Sequence, residues 1–263
     1  IGSGAMKTGD VSGADNVGIG SLALEDLTTG ASNVAIGKSA ALNLTTGGSN
    51  IAIGNLAIGS GITTGHKNVA IGYYAAAALT SGTNNTAIGH DALEYASSGA
   101  GNTAVGMDVM RVNSSSNYNT GVGYNAGAAV TTGQNNTFIG GLAGDAKTTA
   151  NNNTAVGMSA LTSGGSGSEN TAIGTSSLYT LTTGVGNQAV GWQSGYYLTT
   201  GSYNSLLGHN SGVSLTTGTS NAILGGFAGD ALNTGLQNTV VPKSQGPGGN
   251  NNTTQTQPST ISA

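Results

Sequence analysis

The sequence predicts an all-β fold, a parallel β-solenoid or β-roll of about 13 coils with a 17-residue repeat. Three observations predict it. A five-residue marker recurs at a fixed interval. Glycine-containing turns punctuate nearly every copy. The composition is too poor in bulky and charged residues for an ordinary two-layer globule.

The marker is Asn, then usually a small or β-branched residue, then usually Ala, then Ile, Val or Leu, then Gly. It begins at Asn16, Asn33, Asn50, Asn68, Asn85, Asn102, Asn119, Asn136, Asn153, Asn170, Asn187, Asn204, Asn221 and Asn238. Every step is 17 residues except Asn50 to Asn68, which is 18. With the marker Asn as position one, position four is always aliphatic: Ile19, Ile36, Ile53, Ile71, Ile88, Val105, Val122, Ile139, Val156, Ile173, Val190, Leu207, Leu224 and Val241. Position five is Gly in every copy until Pro242, and position eight is small in nearly all. A second apolar site near position 12 holds Leu27, Leu44, Ile62, Leu79, Val130, Leu181, Leu198, Leu215 and Leu232, and a Thr-Thr-Gly turn commonly follows it.

Seventeen residues are too few for a βαβ unit, which needs about 30. The alternating marker reads as a strand whose positions two and four share one face while position three takes the other. The two Gly sites imply two turns, and hence two short strands per coil. A helix would lose about 1 kcal/mol at each such Gly. Coils stacked in parallel rise about 4.8 Å each and place like on like. The expectation is a continuous buried ladder at position four and a hydrogen-bonded Asn ladder at position one. A charge at Ile88 should then block folding. The extra residue of the Asn50 coil is expected in the turn around Gly59-Ser60-Gly61, because a strand cannot absorb a residue without exchanging its faces.

Glycine occurs 47 times, charged residues make up 6% and aromatics 5%, and much of the apolar 37% is alanine. The net charge is −4 and the six Lys and Arg residues do not cluster, so no basic stripe for nucleic acid exists. No run of 18 apolar residues suggests membrane insertion. Without Cys there are no disulfides or thiolate metal sites. The chain begins inside a repeat without Met, which reads as a fragment or processed product. The repeat domain spans 1–241, and a Gly/Pro/Asn/Thr-rich tail spans 242–263. The tail should be extended, held if at all by partner chains.

The NVAIG and NTAIG markers at 33–37 and 170–174, with a small residue three places after the Gly, resemble the head repeats of YadA-like trimeric autotransporter adhesins. The resemblance covers about residues 1–241. It implies a parallel β-roll assembled as a homotrimer, with a longer turn than that family's usual repeat. The form with Leu-Thr-Thr-Gly is similar to repeats of bacteriophage tail fibres. In those fibres a C-terminal chaperone is often removed after trimerisation, which TQTQPSTISA at the end of this chain would suit as a stub. No stalk heptads, neck or membrane barrel occur in the sequence.

Few residues suggest chemistry. Gly18-Ile19-Gly20 and Gly121-Val122-Gly123 lack the strand–loop–helix setting of a phosphate loop. The stretch Gly164–Asn170 resembles one calcium-binding nonapeptide repeat, but such sites need stacked copies with Asp. His90 and His209 share position six far apart in the chain, and these and His66 read as solvent-facing turn residues. Asp145 and Asp230 sit in the matching segments GLAGDA and GFAGDA, too far apart for an acid–base pair. No catalytic residue, cofactor or metal site is expected, and the chain reads as a non-enzyme. The aromatics stand out. Tyr179, Trp192, Tyr196, Tyr197 and Tyr203 fall in two adjacent coils, and Tyr179 and Tyr196 should stack directly. Such rings suit a receptor or glycan patch, or packing between protomers. Tyr73 and Tyr74 are a second, lesser pair.

Both strand faces are rather apolar, which calls for a covering partner, most simply another copy of the chain. The reading is a fibrous structural or adhesive protein, a viral tail-fibre segment that mediates or presents attachment to a host surface glycan or protein receptor. Its place would be the virion or the cell surface. The alternatives are the head of a bacterial trimeric autotransporter, an ice-binding solenoid, and a polysaccharide-cleaving tailspike. The last needs paired carboxylates in a groove, which ten scattered acidic residues do not supply.

Overall fold

A computed structural model describes residues 1–7, 12–59, 61, 63–241 and 254–255. The fold is an all-β parallel solenoid whose coils follow the 17-residue repeat, with no helix among the described residues. The chain divides into two compact units, Ile1–Thr149 and Ala150–Ala263. The first holds β1 (Val17–Ile19), β2 (Val34–Ile36), β3 (Ile51–Ile53), β4 (Val69–Ile71), β5 (Thr86–Ile88), β6 (Thr103–Val105), β7 (Thr120–Val122) and β8 (Thr137–Ile139). The second holds β9 (Thr154–Val156), β10 (Thr171–Ile173), β11 (Gln188–Val190), β12 (Ser205–Leu207), β13 (Ala222–Leu224), β14 (Thr239–Val240) and a short β15 (Thr254–Gln255). Within each unit neighbouring strands through β14 pair in parallel and in repeat register, as Val17↔Val34 in the first and Thr171↔Gln188 in the second.

Each coil has one strand, not two. Beyond the strands the described residues form only isolated bridges, such as Leu44↔Thr63 and Thr219↔Leu236. The cause lies at positions seven and nine, which adopt left-handed φ even when they are not Gly: Ser39 at 55° and Ala41 at 49°, Leu93 at 53°, Met110 at 46°. An extended strand needs φ near about −120°. The left-handed turns aim successive N–H groups in opposite directions along the stack. Ser39 N–H donates to Ser21 C=O (2.8 Å) on one side, and Ala41 N–H donates to Ala57 C=O (2.8 Å) on the other. The strand ends at a Gly for two reasons. Gly37 has φ of +135°, and a Cβ there would lie 2.5 Å from the Gly54 carbonyl oxygen.

The position-four ladder is continuous, but it faces outward. Ile19 pairs with Ile36, Ile36 with Ile53, Ile71 with Ile88 and Ile88 with Val105, all on one face. That face is open in the single chain: Ile88 is 37% exposed and Leu207 50%, whereas Ala87 is 0%. The expectation that Ile19, Ile36, Ile53, Ile71, Ile88, Val105, Val122, Ile139, Val156, Ile173, Val190, Leu207, Leu224 and Val241 form the coil's core is therefore corrected. The inner ladder is position three: Ala35, Ala52, Ala70, Ala87, Ala104, Phe138, Ala155, Ala172, Ala189, Leu206, Ile223 and Val240 are all buried.

The reason is the narrow interior. Position 12 fills it with Leu27, Leu44, Leu79, Leu181, Leu198 and Leu215, and position nine adds Leu24, Ile58, Leu93, Met110, Leu161 and Leu178, all buried. Only a methyl group then fits at position three. Where position three is large, position nine is Gly. A Cβ on Gly144 would sit 2.3 Å from the Phe138 ring, and one on Gly229 would sit 2.8 Å from Ile223. These exchanges keep the packed volume constant, as dense interiors require.

The Asn ladder forms as expected. Asn50 Oδ1 accepts from the backbone N–H of Asn68 (2.9 Å) and from its Nδ2 (3.1 Å), while Asn50 Nδ2 donates to Gly65 C=O (2.9 Å). The same set recurs along both units, so these buried amides satisfy one another. In the 18-residue coil β3 stays in register, Ile58 N–H donates to Ala75 C=O, and the pairing of Thr45 N–H with Thr63 C=O restores the repeat. The extra residue thus falls within 59–62, of which Ser60 and Ile62 lie outside the described residues.

Two polar side chains interrupt the position-12 column. Asn113 is fully buried with its Nδ2 lacking a hydrogen-bond partner. Lys147 is 1% exposed, and burial lowers its pKa from 10.5 to about 8. In the tail, Thr254 and Gln255 pair antiparallel with β14 of their own chain, at Val240 and Thr239. Those two residues are held within the chain, where a partner was expected; the rest of 242–263 lies outside the described residues.

Candidate functional site

Two surfaces stand out. The first is the outward strand face. Position four supplies an aliphatic row, and position two beside it changes along the chain. In the first unit it is Val17, Val34, Ile51 and Val69, then Thr86, Thr103, Thr120 and Thr137. In the second unit it runs Thr154, Thr171, Gln188, Ser205 and Ala222. Where position four becomes Leu207 and Leu224, position two shrinks to Ser205 and Ala222. A groove of about 430 Å³ opens there, walled by Val190, Leu207 and Leu224 and reaching Leu206 and Ile223 at its base.

The second surface is position six, just past the strand Gly. In the second unit it carries Met158, Thr175, Trp192 and His209. Backbone bonds fix them on successive rungs: Ser176 N–H to Met158 C=O (2.9 Å), Gln193 N–H to Thr175 C=O (3.0 Å) and Asn210 N–H to Trp192 C=O (2.9 Å). Trp192 stacks on His209 with centroids 4.8 Å apart and planes at 19°, and His209 leans on Phe227 at 5.0 Å. The first unit repeats the motif with Tyr73 stacked on His90 at 5.1 Å and 23°. Tyr74 meets Tyr73 at 4.5 Å.

The five aromatics singled out from sequence do not share one ring cluster. Tyr179 and Tyr196 stack as expected, 4.9 Å apart and within 3° of parallel, and Tyr197 meets Tyr196 edge-on at 4.7 Å. Trp192 belongs instead to the His209–Phe227 column. Tyr203 lies over Gly186 of the preceding coil, at the position where a Cβ would touch its ring at 2.8 Å. The sequence signal for the Trp192 column was available, since His209 follows Trp192 by one 17-residue repeat. His90 and His209 are exposed, as expected of turn residues, but each stacks on a ring. His66 Nδ1 accepts from the Gly48 N–H (2.9 Å).

The chain's one arginine gathers a carboxylate cluster that sequence spacing did not reveal. Arg111 Nε meets Glu94 Oε2 at 2.6 Å, Asp108 Oδ1 at 3.7 Å and Asp91 Oδ2 at 4.0 Å, and its guanidinium lies 5.5 Å from the Tyr95 ring centroid. His90 Nδ1 lies 3.2 Å from Asp91 Oδ2. Burial, then the neighbouring Glu94, raises the Asp91 carboxyl above its ordinary range, and the Glu94 hydrogen bond raises the arginine. A cavity of about 400 Å³ beside it is lined by Asp108, Arg111, Asn125 and Asp145. The positions 91, 94, 108 and 111 converge because a helix-like i,i+3 offset combines with the 17-residue period. Asp145 lies in the first unit and Asp230 in the second.

Among the described residues no three His, Asp or Glu side chains are placed to hold a metal ion. No helix among them is long and apolar enough to cross a membrane. Comparison with known proteins finds no matching family model, no matching curated protein and no matching solved structure.

Proposed function

We propose that the chain is a fibrous structural and adhesive protein, not a catalyst. It works as a homotrimer that mediates or presents attachment to a cell surface. The observation that carries this reading is the outward aliphatic face. An aliphatic side chain recurs there on every rung of both units, and on most rungs it is larger than the buried position-three residue beside it. Left in water, such a face is an aggregation surface. Three copies set around an axis cover it and leave the turns, with their aromatics, facing solvent. Burial of about 25 cal/mol per Å² of apolar surface, repeated on each rung, makes such an assembly cooperative and resistant to unfolding.

The NTAIG-type markers support placement in a viral tail fibre; the head of a bacterial trimeric autotransporter would use the same mechanics at a cell surface. Binding of the labelled chain to intact bacterial cells, read by flow cytometry, tests this. Binding above that of a chain with scrambled turns is expected. Trp192→Ala with Tyr197→Ala should leave the trimer intact and weaken that binding. Absence of binding across a broad cell panel would reduce the protein to a spacer.

A specific observation favours a second reading, an ice-binding solenoid. Thr86, Thr103, Thr120 and Thr137 form an outward row on successive parallel strands, in addition to the Thr-Thr-Gly turns. A thermal-hysteresis assay on the purified chain decides it. A freezing-point gap that disappears in Thr103→Lys would establish ice binding over attachment.

A further inference from the structure

We propose that the Thr175 rung, between Met158 and Trp192, is a subsite for one neutral pyranose ring of a glycan, with Trp192 as its stacking face. The inference deepens the attachment reading and rests on it for its biological role, but its geometry stands alone.

Trp192 is 44% exposed and Met158 is 60% exposed. The Trp192 and His209 rings are nearly parallel with centroids one rung apart, so the indole lies across the stack and presents its faces along it. His209 covers one face. The rung beyond the other face carries Thr175, which has no ring. Met158 lies two rungs from Trp192, about 10 Å at parallel-strand spacing. Van der Waals contact on both sides takes about 7–8 Å of that. One puckered ring fits in the remainder, and two do not. The ligand would continue the column where the protein leaves a gap.

The other ring clusters are more nearly filled. Tyr196 is stacked by Tyr179 and met edge-on by Tyr197, and Tyr73 touches both His90 and Tyr74. The chemistry at the gap is neutral. Between residues 150 and 241 the chain has no Lys or Arg, and its acidic groups are Glu169 and Asp230. The polar groups next to the gap in sequence are the Thr175 and Ser176 hydroxyls and the Gln193 amide. Hydroxyls and amides match sugar hydroxyls, while an indole face matches the apolar C–H face of a pyranose. None of these three side chains next to the gap carries a charge.

Trp192 is the only Trp, so its fluorescence reports this site alone. The intact chain is titrated with maltotriose, cellotriose, chitotriose and galactobiose. At least one should change the emission saturably, with a Kd on the order of 1 mM per subsite. Thr175→Tyr should fill the gap and weaken binding at least about tenfold, confirmed by saturation-transfer NMR. The variant should fold, because Tyr73 and Tyr124 already occupy position six. The proposal is overturned if no sugar perturbs Trp192, or if Thr175→Tyr binds as tightly as the parent. The two readings fail separately. If the Thr175→Tyr chain still attaches to cells while losing the sugar, recognition lies elsewhere on a working adhesin. If the sugar binds and no cell does, the subsite stands and the attachment reading falls.

Discussion

Ala87 and Ile88 are neighbours on β5, yet they live in different environments. Ala87 points into the coil and is fully buried; Ile88 points out and keeps more than a third of its surface. The contrast recurs on most rungs, with the smaller residue inside; Phe138, Leu206, Ile223 and Val240 are the larger inner residues. Apolarity therefore does not say which face is the core. Room does: Leu93 and the position-12 column leave space for a methyl group and no more. The larger side chains go where space is open, and that is where a partner would sit.

The largest expected effect breaks this comparison directly. Ala87→Asp places a charge in the packed interior and should cost more than about 3 kcal/mol, which abolishes cooperative unfolding by circular dichroism. Ile88→Asp, one residue away, should leave the coil folded and act on assembly. This reverses the expectation that a charge at Ile88 blocks folding. Equal loss of secondary structure in both variants would show that the faces are not distinct.

The exchange between positions three and nine is the next test. Phe138→Ala alone leaves a cavity and should cost about 3–5 kcal/mol. Gly144→Leu alone drives a side chain into the Phe138 ring and should cost a similar amount, about 3 kcal/mol. Together they recreate the pairing of Ala155 with Leu161 found in the second unit, where Leu161 adopts φ of 55°. The double variant should recover to within about 1.5 kcal/mol of the parent in urea. Simple additivity of the two losses would refute volume exchange.

A further effect, spread over a pH range, concerns Lys147 in the leucine column. Its folded pKa is lowered from 10.5 to about 8. Between those values the unfolded chain binds the proton that the folded chain has released, so stability rises as pH rises from 8 to 10.5. The gain should be about 3 kcal/mol. Below pH 8 both states carry the proton, so the pH dependence flattens, and Lys147→Leu should abolish the rise between pH 8 and 10.5. A pH-independent difference between parent and variant would show that the amine is not the cause.

The sequence carried the period, the Asn ladder, the position-12 column and the Tyr179–Tyr196 stack, because each depends only on residues 17 apart meeting on neighbouring rungs. It did not settle inside from outside. Val34-Ala35-Ile36 is apolar on both faces, and alternation alone is symmetric. A usable signal was present at position two, where Thr86, Thr103, Thr120, Thr137, Thr154, Thr171, Gln188 and Ser205 are polar. Polar residues mark the wetter face, and position four shares it. The missing second strand was less legible, since nothing about Leu22 or Leu24 announces a left-handed φ; only the turn they must complete demands it. The Arg111 cluster was hidden because it joins residues from two coils at offsets the marker does not define.

The most direct measurement is sedimentation equilibrium on the parent chain and on Ile88→Asp with Ile139→Asp. If the outward ladder is buried between copies, the parent sediments as a trimer at micromolar concentration and the variant as a folded monomer. A parent that remains a soluble, stable monomer would contradict the account, because the aliphatic face would then need no partner.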